Sequence, residues 1–218
     1  MVSLMSQRLP LFPLQVVLFP GSALPLHIFE DRYKTLIKEC IASSGEFGIS
    51  LIQEGELQSV GCTAAVVAVV HTYEDGRLDI IVEGRRRYTV ERLESDTAPY
   101  AVGFVRFLEG PAEETDGALS AETIALYNEL VVRVYRGAVP EINLEASVPD
   151  LSFRLAQKAG MELLERQRLL ETGSENERLK LLRDHLRATL PKLDQIEEVQ
   201  RVVRTDGYLP NTDSSEDR

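Results

Sequence analysis

The spacing of apolar residues changes near residue 110, and this change constrains the fold more than any other feature of the sequence. Before it, short apolar runs alternate with polar residues and are broken by Gly and Pro; after it, apolar residues recur every three or four positions. The first spacing is typical of strands and the second of amphipathic helices. We therefore predict an α+β chain with a β-rich subdomain over residues 8–110 and a helical subdomain over residues 118–204.

The β-rich region contains signals for about six or seven strands, among them residues 47–53, 60–73, 78–82, 87–93 and 100–108. The Asp75-Gly76 pair predicts a tight hairpin, and residues 9–18 predict edge strands and bends because Pro10 and Pro13 interrupt them. Apolar residues spaced three and four apart over residues 30–40 predict one helix in this region, which Ser43, Ser44 and Gly45 should end. Short connections favour antiparallel pairing, and a closed or half-closed barrel would hide the strand edges.

The helical region carries start and stop signals of its own. The stretch 110–117, with three acids, one proline and two glycines, predicts a linker or exposed loop. Ser120 should cap a helix that runs to Arg136, a second helix should start at 147–150, and Ser174 with Glu177 forms a capping box after Gly173. The leucine stripe of the last helix should pack on its own domain, although it could also receive a partner helix; it comprises Leu179, Leu182, Leu186 and Leu190. Residues 205–218 are polar and acidic and are expected to be a disordered tail.

The net charge of −11 argues against nucleic acid as the main partner. The one dense basic cluster is Arg85-Arg86-Arg87, and on a strand alternation would send Arg86 to the opposite face from the other two. The longest apolar stretch, residues 62–70, is about half of what a membrane-spanning helix needs. The first residues lack the layout of a signal peptide, so we expect a cytoplasmic protein without a membrane partner.

Motifs for catalysis are missing from the sequence. It has no Gly-Lys dipeptide for a phosphate-binding loop, no nucleophile elbow and no zinc-protease helix, and it has three histidines in total. Cys40 and Cys62 have no paired spacing and predict buried, reduced thiols without a disulfide or a metal. We expect no cofactor and no catalytic residues; a Cys62 nucleophile with His71 as its base would require one strand to fold back on itself.

A set of short motifs recurs in one order along the chain. It begins with Leu9-Pro10-Leu11-Phe12-Pro13-Leu14, Val17-Leu18-Phe19-Pro20-Gly21, Leu24-Pro25-Leu26-His27-Ile28-Phe29-Glu30 and Arg32-Tyr33. It continues with Gly61-Cys62-Thr63-Ala64, Asp75-Gly76, Val82-Glu83-Gly84 with Arg87, Pro99-Tyr100, Asp150-Leu151, Arg166-Gln167 and Leu169-Leu170-Glu171. Over about residues 8–190 this order and spacing resemble the amino-terminal, substrate-binding domain of Lon proteases, in a form that stands alone.

The resemblance implies a PUA-like pseudo-β-barrel followed by an α-helical bundle. It also implies a non-catalytic module that recognises unfolded or exposed apolar protein segments and that could work with a separate ATP-dependent protease. Candidate binding residues are His27, Glu30, Arg32, Tyr33, Arg85 and Arg87. Arg32 could instead be tied to a nearby carboxylate, and Tyr33 could belong to the core. Residues expected to fix bends are Pro13, Pro20, Gly21, Pro25, Gly61, Gly76 and Gly84.

Two other functions stay open at this point. PUA-like architecture serves RNA binding in other families, although fold alone does not carry function. An uncatalogued hydrolase would need a cleft that holds titratable groups with strongly shifted pKa values.

Overall fold

The computed structural model describes residues 6–94, 98–135 and 148–206, with side chains of the last helix described as far as residue 195. Six strands and one helix come first, followed by four helices. The strands are β1 Gln7–Leu14, β2 Ala23–Ile28, β3 Phe47–Gln53, β4 Glu56–Thr72, β5 Leu78–Glu94 and β6 Ala101–Phe107. The helices are α1 Asp31–Ser43, α2 Gly117–Tyr135, α3 Leu151–Ala156, α4 Leu163–Glu171 and α5 Glu175–Asp206. The predicted α+β class is confirmed, and the predicted tail from residue 207 onward lies outside the described residues.

The strands close into a barrel. Pairing runs β5-β4-β3-β1-β6 and returns from β6 to β5, while β2 adds to the other half of the long β5. The β1–β3 pair is parallel and the other described pairs are antiparallel, so the sheet is mixed but mostly antiparallel, as predicted. Ring closure gives the strands of the ring neighbours on both sides, while β4 continues past its pairing with β3, from Ala65 to Thr72, beside β5 alone.

Strand β1 is not an edge strand, which corrects the prediction made from its two prolines. Its first half, with Pro10, pairs with β6, and its second half, with Pro13, pairs with β3. Leu11 is the residue that pairs in both ladders. Each proline therefore stands where the strand has a neighbour on one side only, which satisfies the rule that proline avoids doubly paired positions.

Glycines allow close approach of the backbone at the crossing points of the barrel. A Cβ on Gly84 would lie 2.1 Å from the carbonyl oxygen of Phe19, and one on Gly61 would lie 2.5 Å from that of Ile49. Gly84 also exchanges backbone hydrogen bonds with the loop before β2, since its N–H donates to Ser22 and its carbonyl accepts from Gly21. The loop containing Pro20 thus packs directly on β5.

The hairpin predicted at Asp75-Gly76 joins β4 to β5, and Gly76 has a φ of 81°. Helix α1 buries the predicted stripe except for Ile41, which is 42% exposed. The helix ends at Ser43, and its cap residue Ser44 lies in the left-handed region. Pro25 is exposed on β2, which pairs with β5 alone.

The helical half differs from the prediction at its first start. Ser120 is buried inside α2, and the cap is Asp116, whose Oδ1 accepts from the N–H groups of Ala118 and Leu119 at 3.0 and 3.1 Å. Ser174 caps α5 as predicted, since its Oγ accepts from Glu177 N–H at 3.1 Å. Ser147 lies outside the described residues, and α3 begins after Asp150.

Both halves of the chain share one apolar core. The predicted leucine stripe of α5 is buried in it, with all four side chains at most 6% exposed, so it packs within its own domain. A smaller, separate cluster consists of barrel residues alone: Leu9, Leu11, Tyr88 and Val105.

Arginines connect the barrel to the helices. Phe19 of the barrel stacks on Phe153 of α3 with ring centroids 5.2 Å apart. The Arg166 guanidinium lies 4.6 Å from the Phe19 ring, and that of Arg178 lies 4.2 Å from the Phe153 ring. Arg166 also donates to the carbonyls of Val17 and Ala156, and thus bridges the two halves.

Candidate functional site

Two of the six predicted binding residues are buried, so the prediction that they line a binding rim is wrong. Tyr33 is 7% exposed and stacks on Phe12 with ring centroids 3.9 Å apart. Arg87 is 6% exposed and donates to the carbonyl oxygens of Leu170 and Thr172 at 3.0 and 2.9 Å. Both side chains hold the fold together: one joins α1 to the barrel and the other joins β5 to the end of α4.

The arginine run does not follow strand alternation, because β5 bulges there. Cys62 pairs with Arg87 but Ala64 pairs with Gly84, so two residues of β5 face Thr63 alone, whose Oγ1 accepts from Arg86 N–H at 3.0 Å. Arg85 and Arg86 are consequently both exposed. Arg85 pairs with Glu83 at 2.8 Å, and Arg86 pairs with Glu46 at 3.3 Å. The run therefore forms no basic patch.

The pair Glu30 and Arg32 forms an exposed salt bridge at the start of α1. Arg32 Nη2 lies 2.7 Å from Glu30 Oε2, and the guanidinium covers the Tyr33 ring at 4.6 Å. Arg32 is thus tied to a nearby carboxylate, which was the alternative considered for it.

His27 belongs to a group of exposed rings around Asp79. Asp79 on β5 pairs with His27 on β2 and His71 on β4, and it accepts hydrogen bonds from His27 Nδ1 at 2.6 Å and Tyr73 Oη at 2.7 Å. These two bonds hold the pKa of the Asp79 carboxyl below its usual range. The hydrogen bond to Asp79 in turn raises the Tyr73 pKa.

Neighbouring rings extend this group into what we call the aromatic row. The ring centroid of His27 lies 6.0 Å from that of Phe29 and 5.8 Å from that of Tyr73. The ring centroids of Tyr73 and His71 are 4.4 Å apart. Phe29 is 60% exposed. Of these rings, sequence reasoning proposed His27 alone for binding. Counting residues outward from the Asp75-Gly76 turn could have placed His71 opposite Asp79.

A second exposed surface, the valine edge, lies on β4 beside the aromatic row. It consists of Val67, Val69 and Val70, which are 46%, 47% and 63% exposed, with Ile41 of α1 facing two of them. A cleft of about 250 Å³ separates the end of α1 from this part of β4. Its lining residues are Cys40, Ile41, Ser44, Gly45, Ala65, Val66, Val67, Ala68 and Val69.

Arg85 lies away from both surfaces, six residues along β5 from Asp79. It lines a different cleft of about 400 Å³ between the barrel and the start of α3, together with Glu83, Asp150 and Arg154. Opposite charges balance within this cleft. The six predicted residues therefore do not form one site, and His27 is the member that stands on the apolar surface.

Neither a metal site nor the Cys62–His71 pair is found among the described residues. No group of three His, Cys, Asp or Glu side chains there could hold a metal ion. Cys62 and His71 lie on one strand, and Cys62 is fully buried. None of the helices in the described ranges is long and apolar enough to cross a membrane.

Both thiols are expected to be unreactive in the folded protein. Burial raises the pKa of Cys62 to about 12 and that of Cys40 to about 11, so the nucleophilic thiolate is scarce at neutral pH. A thiol-reactive disulfide reagent should label neither cysteine at pH 7.5 and both in denaturant. Rapid labelling of Cys62 without denaturant would contradict this assignment.

Solved structures share this fold. A crystal structure of a Lon N-terminal domain protein from Xanthomonas campestris is 26% identical, with a TM-score of 0.64 over 81% of this chain and 96% of that one. The N-terminal domain of a Mycobacterium avium complex Lon protease, 24% identical, superposes with a TM-score of 0.66 over 83% of this chain and 98% of that one. The second likeness concerns the fold alone.

Similar sequences are Lon proteases of bacteria. Lon protease 2 of Bdellovibrio bacteriovorus is 25% identical over 84% of this chain, and the Lon protease of Flavobacterium johnsoniae is 26% identical over 91%. The chain spans about a quarter of the length of these curated relatives. A family model described as the ATP-dependent protease La (LON) substrate-binding domain matches residues 8–188, and the chain therefore belongs to this family.

Proposed function

We propose that the chain is a recognition module that binds unfolded or exposed apolar segments of other proteins at the aromatic row and the valine edge. One observation carries the proposal: of the nine large apolar side chains that stand exposed in the described part of the chain, four belong to the valine edge and the α1 residue that faces it, and a fifth belongs to the aromatic row. They are Phe29, Ile41, Val67, Val69 and Val70. Clustered exposed apolar area of this kind is typical of protein interaction sites.

Polar groups beside this surface would orient a client without closing the site. Asp79 fixes the His27 and Tyr73 side chains through its two hydrogen bonds, so these rings are held in place before a client arrives. Rings fixed in this way lose little conformational entropy on binding. The membership in the substrate-binding family supports the same role.

RNA is the second candidate, because exposed rings can also stack on bases. The basic residues that would neutralise phosphates are mostly engaged by carboxylates here, as with Arg32, Arg77 and Arg85. The net charge of −11 adds long-range repulsion. We therefore favour protein clients; a salt-sensitive gel shift with single-stranded RNA would reverse this preference.

Coupling to an ATP-dependent protease stays a prediction. The relatives are Lon proteases, of which this chain matches about a quarter. Delivery of bound clients to such an enzyme follows from that likeness and not from any contact in the structure.

The binding surface can be tested with a fluorescently labelled model protein that is kept unfolded by reduction and alkylation. Replacing Phe29 and Val70 by Ser should weaken binding at least tenfold in fluorescence anisotropy, because each side chain is 60% exposed or more and would be buried by the client. The matched control replaces Val132 and Val134, which are 51% and 47% exposed on α2, by Ser. Equal losses in both double variants would refute the assigned surface.

A further inference from the structure

We propose that the valine edge binds its client as an added β-strand, formed by a short, extended, apolar segment that carries a carboxylate. The inference rests on the proposed function and specifies how that function is carried out. It names the backbone shape and the charge of the client, which exposed apolar area alone does not define.

One side of β4 has no strand beside it over its second half. Strand β4 is 17 residues long, and its pairing with β3 ends at Ala64. The pairing with β5 continues to Thr72. Within the described residues, positions 65–72 therefore have a neighbouring strand on one side only. The free backbone N–H and C=O groups on the other side are a template for an incoming extended chain.

The composition of this edge suits an apolar partner. An exposed strand edge is usually protected from pairing by charged residues or proline. Residues 63–70 contain neither. Two register shifts place bulges at Val67 and Val70, and these bulges limit the regular part of the edge. We therefore expect a short added strand of about five residues, near the usual strand length.

Helix α1 runs beside the edge, and a lysine of this helix adds a positive charge to the groove between α1 and β4. At one end of the groove, Lys34 Nζ donates to the Asp75 carbonyl in the hairpin at 3.3 Å; at the other end, Ile41 lines the cleft with Val67 and Val69. Lys38 lies between these positions on the same helical stripe, four residues from Lys34 and three from Ile41.

Lys38 is exposed and forms no hydrogen bond or ion pair with the residues that the structure describes. An ammonium group beside an otherwise apolar groove is complementary to one carboxylate of a bound segment. A second copy of the chain would be less suited as the occupant, because pairing two such edges would bring two Lys38 side chains to the same groove.

The decisive experiment uses the peptide Glu-Val-Thr-Val-Thr-Val, acetylated and fluorescently labelled, in three forms: unmethylated, N-methylated at the three valines, and N-methylated at the two threonines. N–H groups of alternate residues point to opposite edges of a strand. Strand addition therefore predicts that one methylated form binds at least tenfold more weakly in anisotropy and that the other stays within about threefold.

Equal binding of the two methylated forms would overturn strand addition and leave apolar recognition standing. A parent peptide that fails to bind while the unfolded model protein binds would also overturn it. Failure of both probes would instead refute the proposed function. A stable dimer in analytical ultracentrifugation that the peptide cannot dissociate would assign the edge to a second copy.

The role of the charge is tested with Lys38→Glu. This substitution should weaken binding of the parent peptide two- to fivefold and leave binding of a peptide with Gln in place of Glu unchanged. Lys180→Glu, at an exposed lysine on α5, is the matched control and should leave both peptides unchanged. Equal effects of the two substitutions would show that net charge, and not the groove, causes the change.

Discussion

Replacing Arg178 by Met is expected to lower the free energy of unfolding by about 3–5 kcal/mol, the usual cost of removing one partner from a buried ion pair. Arg178 is 3% exposed and donates through Nη2 to Glu175 at 2.5 Å and to Asp150 at 3.0 Å. Its Nη1 donates to the carbonyl oxygens of Thr172 and Gly173 at 3.1 and 2.8 Å. Methionine would fill part of the space but would donate to none of these acceptors, of which Thr172 keeps its bond from Arg87.

The main cost of the substitution is the loss of the cationic partner of Glu175. Its carboxylate caps α3 from the start of α5, because it accepts from the N–H and the Oγ of Ser152 at 2.8 and 2.7 Å. Without Arg178 this carboxylate would be a mostly buried charge held by neutral donors alone, and the α3–α5 contact should loosen.

Urea denaturation followed by circular dichroism measures the effect of the Arg178→Met substitution. The matched control is Arg183→Met on the same helix, where the arginine pairs with the exposed Asp184; it should change the free energy of unfolding by less than about 1 kcal/mol. Similar midpoints for the two variants would mean that the buried network does not stabilise the fold.

Local signals in the sequence predicted much of the fold. Strand β3 has the predicted ends, residues 47 and 53, and the Asp75-Gly76 turn joins β4 to β5. The spacing of apolar residues identified α1 and the buried stripe of α5. Each of these features depends on residues close together in the chain, where periodicity and turn chemistry act directly.

Features that depend on distant residues were missed. The strand predictions at 78–82 and 87–93 are parts of one strand, β5, which continues through Gly84, where the carbonyl oxygen of Phe19 lies close to the backbone. The burial of Arg87 follows from the carbonyl groups at the end of α4, more than 80 residues away. The spacing of the three arginines therefore could not predict these hydrogen-bond partners.

The candidate site shows the same division. His27 could be proposed from a motif, but Phe29, His71 and Tyr73 join it only through the pairing of β2, β4 and β5. The valine run of β4 is a strand, as its sequence predicts. The second half of β4 has no neighbour on one side because β3 begins only at Phe47, which pairs with Ala64. A surface built by three strands and a helix needs their register, and single-sequence patterns do not provide it.

Replacing Gly84 by Ala is expected to destabilise the protein by about 3 kcal/mol, at the upper end of the usual cost of overpacking. The new Cβ would lie 2.1 Å from the Phe19 carbonyl oxygen, which is backbone and cannot rotate away. Moving it would break the hydrogen bonds that Gly84 exchanges with Gly21 and Ser22 at 2.9 Å. Gly117→Ala, with no atom within 4 Å of the new Cβ, should be neutral in thermal unfolding; equal melting temperatures for both variants would refute the packing constraint at Gly84.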